Sequence, residues 1–379
     1  MAPDARCTRS ARDDELPLID VEALRGGDAA GRRELADRFA RVSEEMGFLC
    51  IVGHGVPRQV VDQAFARARR FFAQPKAAKR AVAVNSWHRG YRGSGRITVQ
   101  GHRSDLTEVF ELGVDLPLDD PDVRAGKPLH GPDTWLPLPG FRAAMEAHFK
   151  AVTALGRSLL SSFALALDLP EDFFLDLHDR PLVNLRIIRY PPLPAARPAD
   201  QYSTATHTDY GMITLLAQDE VGGLQVRLRS GEWIAVPCVA GSFVVNLGDM
   251  LACWTNDRFA SAPHRVLNEP GTDRYSIPLF YTPRFDAMAT CLPTCTGPGN
   301  PRRAIRRCAA ATTSSASTTA RSHPAWDRLW YMAERPEPQH WLADNGAPHG
   351  SAVLGCRGDE VSTAVDVGCN SARGIAAML

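Results

Sequence analysis

A chain of 379 residues, 44% of them hydrophobic and 8% aromatic, can bury a substantial core as one large domain or two ordinary ones. Its 43 Lys+Arg cancel its 43 Asp+Glu, so no global basic field draws it to nucleic acid or to an anionic membrane, and a small neutral or zwitterionic molecule is the expected partner. No apolar run is long enough to span a bilayer, the N-terminal MAPDARCTRSARDDE has no apolar signal core, and the nine cysteines lack CxxC spacing. The expectation is a soluble, cytoplasmic, monomeric protein with reduced thiols.

In chain order, LPLIDVEAL (16–24) reads as a short strand. After Gly26-Gly27, AAGRRELADRFARVSEEMGF places Leu35, Phe39, Val42 and Met46 at helical spacing, with a glycine closing the run. FLCIVGHGVP (48–57) reads as a buried strand ending in a Gly/Pro turn, and VVDQAFARARRFFAQP as a second amphipathic helix stopped by Pro75. Glycines, prolines and isolated hydrophobic pairs from Arg89 to Leu138 indicate loop and short strand; Gly140 to Pro170 is helical again.

From Leu182 to about Pro283 the chain becomes short β-type runs cut by Gly, Pro and Asn: LVNLRIIRYPP, MITLLAQD, GGLQVRLRSGEWIAVP, GSFVVNLGDM, HRVLNEP and RYSIPLFYTP. Helices followed by regularly spaced strands predict an α+β chain with a jelly-roll (double-stranded β-helix) core and an N-terminal helical region. The boundaries expected are a flexible 1–15, a helical and mixed 16–180, the jelly roll at 181–300, and an atypical, poorly ordered tail at 301–379. The tail's PRRAIRRCAAATTSSASTTARSHPAWD has neither helical nor strand periodicity.

Chemistry concentrates in THTDYGMITLLAQDEVGGLQV (206–226). Strand alternation sends residues i and i+2 to one face, so His207 and Asp209 would point together with Thr208 opposite. An imidazole and a carboxylate suit a divalent metal, and His264 in SAPHRVLNEP is the best third ligand. Two histidines and one carboxylate make the facial triad of non-haem iron(II) oxygen chemistry. By the same alternation Arg274 and Ser276 share a face, where a guanidinium fork and a hydroxyl can grip a carboxylate, and the Tyr190 phenol can add a hydrogen bond. Taken singly, each has an ordinary reading as a polar turn, a strand-edge arginine or a packed tyrosine.

Together with LPLIDV, EEMGFLCIVGHGVP, RRFFAQP and DLTEVFELGVDLP in the N-terminal half, HTDYGMITLLAQDEVGGLQV, GEWIAVPCVAGSFVVNLGDMLACWTNDRFASAPHRV and DRYSIPLFYTP resemble the isopenicillin N synthase-like branch of the iron(II)/2-oxoglutarate-dependent oxygenases. The resemblance runs in matching order from about Leu16 to Asn300. It implies that His207, Asp209 and His264 bind iron(II), and that Arg274 and Ser276, helped by Tyr190, hold the distal carboxylate of 2-oxoglutarate. O2 would be the second co-substrate and a small organic molecule the substrate, hydroxylated by default or else desaturated or cyclised, with release of succinate and carbon dioxide. Where many plant members have Asn-Tyr-Tyr-Pro, this chain has Ile188-Arg189-Tyr190-Pro191. The substrate pocket would be lined by the Arg89 to Arg103 loop, strand residues around the iron and the C-terminal segment.

Two alternatives stay open. One is an oxidase of the isopenicillin N synthase type, which uses the same triad without 2-oxoglutarate. The other is a catalytically impaired homologue, because family members continue after GPGNP with a segment like YPPVxxGDYLL and a C-terminal helix. Suitable codons for Ile305 to Ser315, shifted back by one nucleotide, read Tyr-Pro-Pro-Val-Arg-Arg-Gly-Asp-Tyr-Leu-Leu. A frameshift near Pro301 to Ala304 is therefore expected to have replaced the usual C-terminus, with a natural divergent tail as the alternative.

Overall fold

The structure, a computed structural model, describes residues 8–12, 15–94, 105–193, 201–268, 271–297 and 308–309. Its strands are β1 (Arg9–Ser10), β2 (Leu18–Asp20), β3 (Phe48–Val52), β4 (Gly90–Arg92), β5 (Glu108–Gly113), β6 (Leu182–Tyr190), β7 (Thr204–His207), β8 (Ile213–Gln218), β9 (Leu224–Arg227), β10 (Trp233–Ala235), β11 (Phe243–Leu247), β12 (His264–Val266), β13 (Arg274–Thr282), β14 (Met288–Ala289) and β15 (Cys308–Ala309). The α-helices are α1 (Ala23–Gly26), α2 (Ala29–Glu45), α3 (Arg58–Phe72), α4 (Lys76–Ala81), α5 (Pro121–Arg124), α6 (Phe141–Ala166) and α7 (Asp249–Trp254). Apart from β15, which pairs antiparallel with β14, the expectations for the tail after residue 300 lie outside the described residues.

An eight-stranded sheet runs β2-β3-β11-β8-β13-β6-β5-β4 and a five-stranded sheet runs β1-β10-β9-β12-β7. They are the two sheets of the jelly roll. The run from Arg89 to Leu138 contributes more than loop and short strand: β5 is a fully buried six-residue strand inside the large sheet, because Phe110 and Leu112 meet the helices on one face while Glu111 is covered on the other. GSFVVNLGDM is a strand only to Leu247. There Gly248 passes so close to the turn before β8 that a Cβ on it would lie 2.1 Å from the Gly211 carbonyl oxygen, and Asp249 starts α7.

The N-terminal helices form where the apolar spacing predicts. Asp28 caps α2 by accepting a 2.8 Å hydrogen bond from the Gly31 N–H. The helix ends at Gly47 (φ 71°), where any side chain would strike the Ala260 carbonyl. Phe39, Phe71, Phe141 and Phe163 are wholly buried between α2, α3 and α6, each stabilising the fold by roughly 1.5–3 kcal/mol.

Strand alternation sorts the large sheet into two cores. Leu215 and Ala217, Phe243 and Val245, and Ile277, Leu279 and Tyr281 pack with the helices. Leu216, Val244 and Tyr190, of the opposite parity, pack with Val226, Ile234 and Val266 of the small sheet. Parity is therefore an address: Thr214, Asn246, Arg274, Ser276 and Tyr190 all face the space between the sheets.

Candidate metal centre

His207 closes β7 and His264 opens β12, and the antiparallel register sets them directly opposite one another, ring centroids 4.2 Å apart. Asp209 lies beyond the end of β7, so simple alternation does not deliver it. A turn does. The Asp249 N–H donates to the Asp209 carbonyl at 2.7 Å, Thr208 Oγ1 donates to Asp249 Oδ2 at 3.0 Å, and Gly248 leaves room for the chain to pass.

Each ligand is committed at its far atom and open at its near one. Nδ1–H of His207 donates to the Ala205 carbonyl (2.8 Å) and that of His264 to the Ala262 carbonyl (3.1 Å), which leaves both Nε2 lone pairs facing Asp209. Asp209 Oδ2 accepts from Thr214 Oγ1 (2.6 Å) and Asn246 Nδ2 (2.7 Å), while Oδ1 stands 3.8 Å from each Nε2. Those separations exceed a hydrogen bond yet let all three atoms reach one ion at ligand distances of about 2 Å. The three ligand atoms lie within 4.8 Å of one another. Burial, and then the neighbouring His264, push His207 down to about 4, so it is a neutral imidazole at ordinary pH. Burial pushes Asp209 up, but the two histidines with Asn246 and Thr214 hold it below the usual carboxylate range. A neutral imidazole and an ionised carboxylate are the forms a metal requires, so the donor set fits iron(II).

Arg274 and Tyr190 are register partners between β13 and β6, and the guanidinium carbon sits 4.5 Å from the tyrosine ring centroid. Tyr190 OH and Ser276 Oγ are 3.1 Å apart. Arg274 is fully buried. Its Nε donates to the Gly222 carbonyl and its Nη2 to Gln218 Oε1 (3.3 Å), but Nη1 has no partner, and no carboxylate pairs with the guanidinium among the described residues. A buried cation lacking its anion, next to two hydroxyls, fits the distal carboxylate of 2-oxoglutarate.

All six residues picked out by sequence thus come together between the sheets. Sequence reasoning missed Thr214 and Asn246, which hold Asp209, and Asp105, whose Oδ1 accepts from the Ala205 N–H (3.0 Å) and so anchors the residue whose carbonyl orients His207. Asn246 had a signal: it is the lone polar residue in FVVNL, and its parity is that of the inter-sheet core. Asp105 had none.

A jelly roll with a His-Asp-His cluster and an unpaired arginine between its sheets defines a non-haem iron oxygenase site. Residues 16–138 match the family described as non-haem dioxygenase in morphine synthesis N-terminal, and residues 182–283 match the 2OG-Fe(II) oxygenase superfamily. The 2-oxoglutarate-Fe(II) type oxidoreductase hxnY of Emericella nidulans is 36% identical over 292 residues, covering 74% of this chain and 82% of that protein. Among solved structures, a 2OG-Fe(II) oxygenase family protein from Caulobacter crescentus aligns with TM-score 0.71 and 28% identity, covering 84% of this chain and 99% of the other. A full-length Neurospora crassa protein in complex with alpha-KG and thymine aligns with TM-score 0.72 and 27% identity, covering 82% and 98%.

The chain belongs to the 2OG-Fe(II) oxygenase superfamily. It is a non-haem dioxygenase whose cofactor is iron(II) and whose co-substrates are 2-oxoglutarate and O2, which favours that reading over the isopenicillin N synthase-type oxidase. No helix among the described residues is long and apolar enough to cross a membrane.

Proposed function

We propose that His207, Asp209 and His264 hold the iron, that Arg274 and Ser276 with Tyr190 hold the distal carboxylate of 2-oxoglutarate, and that the enzyme hydroxylates a small organic molecule in secondary metabolism, as a cytoplasmic monomer. The observation that carries this reading is the buried Arg274 Nη1 without an acceptor among the described residues, on the same inter-sheet face that holds Asp209 and with three ligand atoms that already face one point. Iron(II) with 2-oxoglutarate supplies oxygen activation there, with succinate and carbon dioxide as co-products. The chain's own part is positional. The Ala205 and Ala262 carbonyls fix both imidazole tautomers, Thr214 and Asn246 point one Asp209 oxygen inward, and Arg274 neutralises the co-substrate's far end. The apolar lining between the sheets, Leu216, Val226 and Val266, keeps bulk water from the reacting atoms.

Anaerobic addition of iron(II) and 2-oxoglutarate should give the weak visible charge-transfer band of the chelate, and His207→Ala and Arg274→Ala should each abolish or strongly weaken it. A full band in both variants sinks the residue assignment. Oxygen consumed with substrate while 2-oxoglutarate stays untouched would restore the oxidase alternative.

A further inference from the structure

Arg92, Glu111, Arg186 and Phe280 share the inter-sheet face of the large sheet and have no part in holding iron or 2-oxoglutarate. Their direction follows from parity: Tyr91, Phe110, Leu112, Leu185, Ile187 and Leu279 all belong to the helix-side core, so the residues alternating with them face the jelly-roll interior. β6 lies inside the sheet between β13 and β5, and its helix-side residues Val183, Leu185 and Ile187 are buried. Asn184, Arg186 and Ile188 on its other face are half-exposed, and so is Phe280 on β13. Apart from Arg189 near the end of β6, the half-exposed residues of these interior strands lie on the inter-sheet face, which marks open space over that face.

Strand register ties this face to the metal centre. Thr214, which holds Asp209, is the register partner of Phe280, and the Arg186 guanidinium carbon lies 5.0 Å from the Phe280 ring centroid. Beside Phe280 an adjoining hollow of ≈ 200 Å³ is bounded by Asn184, Thr282, Leu182, Val114 and Leu129. Asn184 Oδ1 is buried there without a partner among the described residues. The hollow is small against typical ligand pockets of about 300–1,000 Å³.

Charge along this wall does not balance among the described residues. Arg92 Nη2 (2.5 Å) and Arg186 Nε (2.9 Å) converge on the same oxygen of the fully buried Glu111, Oε1. Two guanidiniums on one carboxylate leave a positive charge over, and Glu111 Oε2, Arg92 Nε and Arg186 Nε, the last an ion-pair contact only, have no hydrogen-bond partner among the described residues. Arg89, further along, is already matched by Asp133 at 2.9 Å.

We propose that Arg186, backed by Arg92 and Glu111, sets the substrate class: a compact, flat-bodied organic carboxylate, its body against Phe280 and its carboxylate on the Arg186 fork. A guanidinium stacked on an aromatic ring is pre-organised for two-point recognition of a carboxylate, and the surplus charge favours an anion. The inference rests on the iron and 2-oxoglutarate reading only for which end of the substrate reacts. It is not the co-substrate grip, since register sets Arg186 roughly 13 Å of strand away from Arg274.

The test is calorimetric titration of the full-length protein, anaerobic and saturated with iron(II) and 2-oxoglutarate, with benzoate and with benzamide, which match in shape and differ in charge. Wild type should bind benzoate at least roughly tenfold more tightly. Arg186→Gln should erase the difference and Arg186→Lys should keep a reduced one, with the chelate band intact in both. Equal affinities in wild type overturn the proposal. So does a preference that survives Arg186→Gln, or one lost in Arg274→Gln but kept in Arg186→Gln, which would put the carboxylate in the co-substrate pocket. Should the Gln variant not fold, the wild-type comparison and the Lys variant decide. Absence of the chelate band in wild type counts against the iron assignment alone, and the same benzoate–benzamide comparison in metal-free protein still decides this one.

Discussion

His264 stands directly opposite His207 across the β12–β7 pairing, so one antiparallel register delivers two ligands to one point. The third ligand is anchored on the other sheet: Asp209 is held by Thr214 of β8 and Asn246 of β11, register partners in the large sheet. A bound ion would therefore join the two sheets of the jelly roll, and whatever loosens Asp209 loosens that junction.

Thr214→Val and Asn246→Leu keep volume while removing one hydrogen bond each from Asp209 Oδ2. Each should weaken iron(II) binding by about 10–100-fold, the usual effect of losing a partner that orients a ligand. Titration of iron(II) against the chelate band measures it. Unchanged midpoints in both variants would show that the turn around Gly248 positions Asp209 unaided.

Arg274→Met should separate binding from stability. Losing a charge-assisted carboxylate contact, worth about 1.5–3 kcal/mol, should raise the KM for 2-oxoglutarate by roughly 10–150-fold. Without 2-oxoglutarate, however, wild type buries a guanidinium with an unpartnered Nη1, so the variant should melt no lower than wild type and gain nothing when 2-oxoglutarate is added. A large drop in its ligand-free melting temperature would mean that the bonds to Gly222 and Gln218 already satisfy Arg274.

These contrasts show what alternation alone could reveal. Arg274 and Ser276 lie on one regular strand, so a period of two placed them together. His207 and Asp209 also converge, but through a turn fixed by Asp249 and Gly248, neither of which alternation singles out. Glu111 and Arg186 were invisible for another reason: both sit in β-type sequence, yet that they meet depends on β5 pairing with β6 across a gap of more than 60 residues. Local pattern carries faces; it does not carry which strands are neighbours.

The C-terminal region poses a question that the gene answers. Residues 310–379 lie outside the described residues, and the proposal for them is a shifted reading frame. The codons for Ile305 to Ser315, read one nucleotide earlier, should encode Tyr-Pro-Pro-Val-Arg-Arg-Gly-Asp-Tyr-Leu-Leu. Restoring that frame should increase succinate formation and raise the melting temperature. Codons that cannot yield this segment, or a restored chain no more active than the original, reject the frameshift.

Acid should destabilise the protein through two histidines far from the metal. Burial pushes His148, on α6, and His178, stacked on Tyr281, down to about 4. The His178 Nδ1–H donates to the Phe174 carbonyl at 2.7 Å, whereas neither His148 nitrogen has a partner among the described residues. Both are neutral when folded, but each takes up a proton in the unfolded chain below its ordinary value near 6.5. Their contribution is thus fully present above about pH 6.5 and is lost as pH falls towards 4, by roughly 2 kcal/mol per histidine between pH 7.5 and 5. Urea unfolding at the two pH values measures the loss. His148→Leu should reduce the difference by roughly 2 kcal/mol and leave the His178 share in place. An equal loss in variant and wild type would show that His148 finds a proton acceptor or a water when it charges.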